Sequence, residues 1–327
     1  MEQPLYVVTA TPHIRTSNSI ERTMLFVILA LTPATLLGVV FFGLRALLLL
    51  TVSVVSAVVF EGLYQKLTRK PLTITDGSAV VTGLLLALTL PPGLPVWMPV
   101  MGTFVAIIIV KQLFGGLGQN FLNPALAGRA ALTAAFAGHM TIGFTEPLRN
   151  WLNMDVIASP TPLNLLAYQD FLPGAPDFLA ALIGNVGGSI GETSAAALLV
   201  GGLFLLFSKV ITWHIPVSFI SAVFILTAIL NPGGLANGVV PYHLLIGGLM
   251  LGAFFMATDY PTSPVTAVGK IIFGIGCGVL TVVIRFFGGY PEGVAYSILL
   301  MNLAVPLIDR YTRPRVYGAV KGGAKPL

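Results

Sequence analysis

The chain has 327 residues, of which 56% are hydrophobic and only 9% charged, whereas ordinary soluble domains carry about 25% charged residues. That much apolar surface exceeds what one soluble core hides, so the composition excludes an ordinary soluble domain and makes the bilayer the solvent. The net charge of +5 does not call for nucleic acid, because the placement of the basic residues accounts for it.

A spanning helix needs about 20 mostly apolar residues. In chain order the pattern predicts an all-α polytopic membrane protein of about ten spans: 24–44, 46–66, 77–92, 97–114, 122–142, 192–208, 214–230, 241–257, 271–288 and 292–308. The first twenty residues hold Glu2, His13 and Arg15 and no apolar run, so no cleaved signal peptide is expected. With the N-terminus in the cytoplasm, Arg15, Arg22, Lys66, Arg69, Lys70, Lys111, Lys209, Lys270 and the basic residues from Arg310 onward fall inside. Arg45 and Arg149 fall outside. The positive-inside rule therefore places both termini in the cytoplasm. The chain divides into a cytoplasmic segment 1–23, a first helical half 24–142, an outer connection 143–191, a second half 192–308 and a basic tail 309–327, all within one membrane domain.

Several predicted helices begin or end in Gly/Pro-rich, polar-studded stretches, among them TITDGSAVVTG, GGLGQNFLNPALAGRA, GGSIGETSA and ATDYPTSPVTAVGK. Irregular backbone at membrane depth persists only where protein or a polar cavity satisfies its N–H and C=O groups, so these stretches are expected to line a site. Asp76-x-Ser78-Ala79 is echoed by Glu192-x-Ser194-Ala195, and Asn123-Pro124-x-x-Ala127 by Ser263-Pro264-x-x-Ala267. These short echoes point to an internal repeat of broken helices, the kind of architecture that places a site at the repeat interface.

Charged residues within or at the edge of the membrane are functional candidates by default. Asp76, Arg129, Glu192 and Asp259 meet that description, whereas Lys111 and Arg285 read as snorkelling side chains at loop ends. Asn120 and Asn123, three residues apart, would share a face of a helix that begins there. Their carboxamides offer donors and acceptors suited to the edge of a neutral heterocycle. The plainer reading is that Asn123 only caps the next helix, with Pro124 at its first position. Cys277 is the sole cysteine and the four histidines are scattered, so neither an intrachain disulfide nor a metal or haem site is expected, and any cofactor is expected to be organic. The stretch from Asp155 to Leu163, with Ser159-Pro160-Thr161-Pro162 inside it, reads by itself as an extended, turn-prone loop.

Beyond these local readings, TDGSAVVTGLLLALTLPP, FGGLGQNFLNPALAGRA, GGSIGETSA, FMATDYPTSPVTAVGKIIFGIGCG and FGGYPEGVAYSILLMNLAVPLIDRYTRPRVYG resemble, in the same order, the D subunits of Rnf complexes. Those are similar in turn to the B subunit of the sodium-translocating NADH:quinone reductase. The resemblance covers essentially the whole chain. It implies a membrane subunit of an ion-translocating ferredoxin:NAD oxidoreductase in a bacterial or archaeal cytoplasmic membrane, one that moves Na+ or H+. The implied partners are other membrane and peripheral subunits, including one with covalent FMN on the outer side, and a flavin transferase for maturation. The family esterifies FMN through its phosphate to an outer-side threonine, and the matching position here is Thr161, with Ala158 and Pro160 departing from the pattern. By the same resemblance a second, non-covalent flavin, riboflavin in the related reductase, maps to Thr82, Asn120, Asn123 and Asp259. Asp76 and Glu192 become ion-coupling candidates. The implied fold is urea-transporter-like, which keeps two rival readings in view: a solute channel of that architecture, or a purely structural assembly subunit. Nucleotide and ferredoxin handling is expected on other subunits, because no nucleotide-binding glycine pattern opens a helix after a strand.

Overall fold

A computed structural model describes residues 19–147, 163, 177–231, 238–288 and 293–314, and the described residues are helical, joined by turns and one isolated bridge between Thr145 and Gly188. Buried and exposed side chains are distributed as lipid demands. Leu36, Val55 and Phe207 face outward at 60%, 60% and 82% exposure, while Glu61, Lys111, Asn123 and Asn302 are buried. In water that arrangement is prohibitive; in a bilayer it is the stable one.

The first helix, α1 (Ile20–Leu67), starts under a Ser19 cap whose hydroxyl accepts from the Arg22 N–H at 3.2 Å. At 48 residues it is two helical limbs, because Gly43 at φ 68°, ψ −154° reverses the chain. The packing of α2 (Ser78–Leu88) shows the reversal. Its start lies against Met24 and, through Lys111, near Glu61, while its far end lies by Ile190, which touches Gly38, and by Gly93, whose carbonyl accepts from Arg45. The two limbs of α1 therefore run antiparallel along α2. The expected spans 24–44 and 46–66 correspond to these limbs.

The expected span 77–92 is much shorter than predicted. At 11 residues, α2 is only about 16 Å long, half a bilayer core. Its buried C-terminal carbonyls find donors in another loop: Gly191 N–H bonds to Leu88 O at 2.8 Å and Ile190 N–H to Leu90 O at 3.0 Å. A half-helix ending at membrane depth is thereby satisfied by protein. After it come α3 (Trp97–Phe104), which continues as a π-helical run Val105–Gln112, then α4 (Pro124–Ala135) and α5 (Ala137–Ile142). The expected helix 122–142 is thus two helices divided at Phe136.

The second half contains α6 (Phe178–Ile183), α7 (Ala195–Phe207), α8 (His214–Leu230), α9 (Val240–Leu245), α10 (Leu249–Leu251), α11 (Ala267–Phe287) and α12 (Val294–Tyr311). The expected helix 241–257 is broken at Gly247 and Gly248, both at positive φ, and α10 runs on as a π-helical turn Gly252–Met256. Small residues set the close packing. A Cβ on Gly274 or Gly278 of α11 would collide with Ser218 or Ala222 of α8, and one on Gly201 of α7 with the Ala30 carbonyl of α1. By length and composition α1, α11 and α12 are long enough to cross a membrane, with shorter apolar helices between them.

Candidate functional site

Two loops interrupt helices at one end of the bundle. Loop 113–123 joins the π-helical end of α3 to α4, and loop 257–266 joins that of α10 to α11. Asn123 caps α4 by accepting from the Leu126 N–H at 3.2 Å, with Pro124 in the first helical position. Its Nδ2 donates to the Met256 carbonyl at 3.2 Å, fastening one break to the other. Asn302 on α12 completes the joint. With its amide oriented to satisfy its surroundings, the oxygen accepts from the Asn123 N–H at 3.1 Å and the nitrogen donates to the Thr262 carbonyl at 3.1 Å. The Tyr260 hydroxyl pins the second loop further by donating to the Val210 carbonyl.

Between these loops, α1 and α2 lies a cleft whose void, open mouth included, is about 770 Å³. Thr82 of α2, Asn120 and Asn123 of loop 113–123 and Asp259 of loop 257–266 all line it. Leu85, Leu205, Phe254 and Phe255 give it apolar walls. The helix starts only at Pro124, so Asn120 and Asn123 share the cleft without sharing a helical face, and Asn120 turns its Nδ2 to the Leu122 carbonyl at 3.1 Å. The cleft opens past Met24, Leu117 and Tyr260 into a wider vestibule of about 1420 Å³, which Gln65, Lys70, Thr73 and Asp76 also line. Asp259 lies beyond the last π-helical residue, outside the span, and is half-buried. Desolvation pushes its carboxyl up to about 6, opposed by the Thr262 hydroxyl and by Lys111.

Beside the cleft, Lys111 is no snorkelling side chain. It is 2% exposed, and its Nζ sits 2.9 Å from Glu61 Oε2, itself 1% exposed, because the π-helical turn carries it inward against α1. The ammonium also donates to Ser78 Oγ at 2.7 Å, and Ser78 Oγ donates to Asp76 Oδ1 at 2.6 Å. Gln112 Nε2 donates to Glu61 Oε1 at 2.8 Å, and Gln65 links Glu61 to Thr73 through contacts of 3.4 and 2.8 Å. The sequence reading missed Glu61 and Asn302. For Glu61 a signal exists: Ser53, Ala57, Glu61 and Gln65 form a small and polar stripe at i, i+4 along an otherwise apolar helix.

Glu192 stands apart from the cleft. It pairs with Arg129 of α4 at 2.8 Å and packs its carboxylate against Gly248, in the break between α9 and α10. Arg285 is likewise buried instead of snorkelling. Its guanidinium donates to the carbonyls of His243 (2.6 Å), Ile246 (3.3 Å) and Gly247 (3.1 Å), capping the C-terminal end of α9. Among the described residues no cluster of His, Cys, Asp or Glu is arranged to hold a metal ion, and Cys277 is a buried thiol. Thr161, the expected attachment residue, lies outside the described residues.

Comparison with known proteins agrees in extent with this architecture. The profile of the NQR2, RnfD, RnfE family matches residues 7–318. The D subunit of the Na(+)-translocating ferredoxin:NAD(+) oxidoreductase complex of Acetobacterium woodii is 49% identical, covering 96% of this chain and 96% of its own. The D subunit of the proton-translocating ferredoxin:NAD(+) oxidoreductase complex of Clostridium ljungdahlii is 45% identical over 97% of this chain and 98% of its own. The corresponding D subunit of the ion-translocating oxidoreductase complex of Stutzerimonas stutzeri is 43% identical over 95% of both chains. The chain is therefore a multi-pass membrane protein that belongs to the NQR2, RnfD, RnfE family.

Proposed function

We propose that this chain is the D subunit of an Rnf-type complex that couples electron transfer between ferredoxin and NAD to the movement of Na+ or H+. In this reading it is one subunit of a bacterial membrane translocase, not catalytic alone. It has about ten spans in a urea-transporter-like arrangement of repeated broken helices. Both termini and the vestibule face the cytoplasm, and the 143–191 connection faces outward. That connection carries FMN as a phosphoester on Thr161, installed by a flavin transferase, where it meets an outer-side flavin subunit. A second, non-covalent flavin occupies the cleft.

The observation that carries this reading is the convergence of Thr82, Asn120, Asn123 and Asp259 on one cleft. Apolar walls with a few placed amides and hydroxyls are what an organic heterocycle requires. A flavin there would supply one- and two-electron chemistry. The chain would orient it through the Asn120, Asn123 and Thr82 side chains, exclude water with Phe254 and Phe255, and keep a carboxyl at the mouth in Asp259. Asp76 and Glu192 are the ion-coupling candidates. The relatives named for Na+ and for protons are 49% and 45% identical to this chain, so overall likeness does not choose the ion.

The test compares the intact complex carrying wild-type chain with one carrying Thr161→Ala and one carrying Asn123→Ala. Denaturing-gel fluorescence and intact mass should show one FMN on wild type and none on Thr161→Ala. Acid-extractable flavin should fall in Asn123→Ala alone. A colourless wild-type protein, lacking both flavins, would overturn the proposal in favour of a channel or an assembly role.

A further inference from the structure

The polar network beside the cleft is continuous from the vestibule to the inner wall of the cleft. Asp76 lines the vestibule, and its Oδ1 accepts from Ser78 Oγ at 2.6 Å. Ser78 Oγ in turn accepts from Lys111 Nζ at 2.7 Å. Lys111 lines the cleft wall with Ser78 and Thr82. Of the three donors of an ammonium, one serves Glu61 and one serves Ser78, which leaves one for whatever the cleft holds. Apolar helices surround this path. A lysine held by a carboxylate deep in such a wall, with a hydroxyl bridging it to a solvent-reached carboxylate, is a costly arrangement to keep for packing alone.

We infer that Asp76, Ser78 and Lys111 form a proton relay between the vestibule and the cleft, with Lys111 as its terminal donor. The inference rests on the reading that the cleft holds a non-covalent flavin, whose electrons come from the flavin or iron–sulfur carriers of the partner subunits. In the step, one N–H bond of Lys111 would break and its proton would pass to the bound flavin, which would supply the redox chemistry by taking up electrons from those carriers. The neutral amine is refilled by the Ser78 hydroxyl proton. Asp76, a carboxylate that accepts from Ser78, takes a proton from vestibule water and passes it to Ser78 as the hydroxyl proton of Ser78 goes to the amine. One proton has then moved from vestibule to ligand, and every side chain is back in its starting state. Glu61 and Gln112 hold the amine in register throughout. The charged groups facing Lys111 are Glu61 from α1, Asp76 through Ser78, and Asp259 from the second loop.

Ser78→Ala is the discriminating variant, because it cuts the bridge while leaving the Glu61–Lys111 pair and the charge count intact. The Ser78 N–H to Asp76 Oδ1 bond, 2.8 Å, is also independent of the hydroxyl. The assembled complex is reduced in a stopped-flow instrument across pH 6–9 in H2O and D2O, after its acid-extractable flavin has been measured. Expected for Ser78→Ala is normal extractable flavin with a proton-linked phase about 10²-fold slower. That phase should also show a changed solvent isotope effect, and Ser78→Thr should restore both. Normal flavin content with wild-type rate and isotope effect in Ser78→Ala would overturn the relay and leave the flavin reading standing. Absence of extractable flavin from the wild-type protein would overturn both.

Discussion

The two buried ion pairs are alike in length and unlike in setting. Glu61–Lys111 at 2.9 Å belongs to a chain of polar groups that borders a cleft, while Arg129–Glu192 at 2.8 Å is wedged against the Gly248 break. The pair alone therefore does not mark a site. What distinguishes the first is that its hydrogen bonds continue through Ser78 and Asp76 to the vestibule, whereas the second ties α4 to the break between α9 and α10 beside a smaller pocket lined by Gly187, Gly188 and Thr193. A charge embedded in membrane protein can serve as a conduit or as a latch, and its surroundings decide which.

The largest effect should come from breaking the first pair on one side. Lys111→Met leaves Glu61 without its counter-charge at membrane depth, and a loss of about 3–5 kcal/mol is expected, read as a fall in the thermal midpoint of the detergent-solubilised complex. Glu61→Leu combined with Lys111→Met should recover most of that loss. Arg129→Met should cost less, since that pair is more exposed, at 9% and 6% against 2% and 1%.

Next comes Gly248→Ala. Its φ of 71° strains any Cβ, and that Cβ would meet the Glu192 carboxylate. The strain alone is worth about 1–3 kcal/mol. Gly118→Ala supplies the matched control, with φ 88° and open space around it, so it should show the backbone cost without the clash. Equal shifts in the two variants would remove the latch interpretation of Glu192.

Asn302→Leu should lower stability by about 1–3 kcal/mol, because the Asn123 N–H and the Thr262 carbonyl lose their partner. It should also reduce extractable flavin, since the two loops are no longer joined; unchanged flavin would separate the joint from the cleft. The smallest effect is with pH. The folded Asp259 carboxyl titrates at about 6 in place of 3.8, so between these values the folded chain keeps a proton that the unfolded chain releases. Stability therefore falls as pH rises through that window, and Asp259→Asn should flatten the slope.

Much of the cleft was legible in the sequence, and the reasons are specific. Asn123-Pro124 announces a helix start, and ATDYPT announces a break; polar breaks in apolar sequence must be satisfied somewhere, so Asn120, Asn123 and Asp259 could be named before their neighbours were known. Lys111 was misread because a lysine at the end of an apolar run looks the same whether it turns outward or inward. The π-helical register that turns it inward leaves no mark in composition. Glu61 sits near the end of a long apolar helix and went unnamed, although Ser53, Ala57 and Gln65 share its face. The helix count by hydropathy located apolar segments but overestimated α2, since nothing in 77–92 says that residues 190 and 191 will supply its missing donors.

The π-helical run Val105–Gln112 has a consequence for how this chain can vary in length. Deleting one residue there would let the helix close with ordinary α-helical spacing and remove the widened turn that carries Lys111 against α1. Lys111 would swing off Glu61 and Gln112 would follow it. Loops at the surface of the bundle absorb insertions and deletions; the run from Val105 to Gln112 is a measured length, in which a single codon gained or lost would part Lys111 from Glu61.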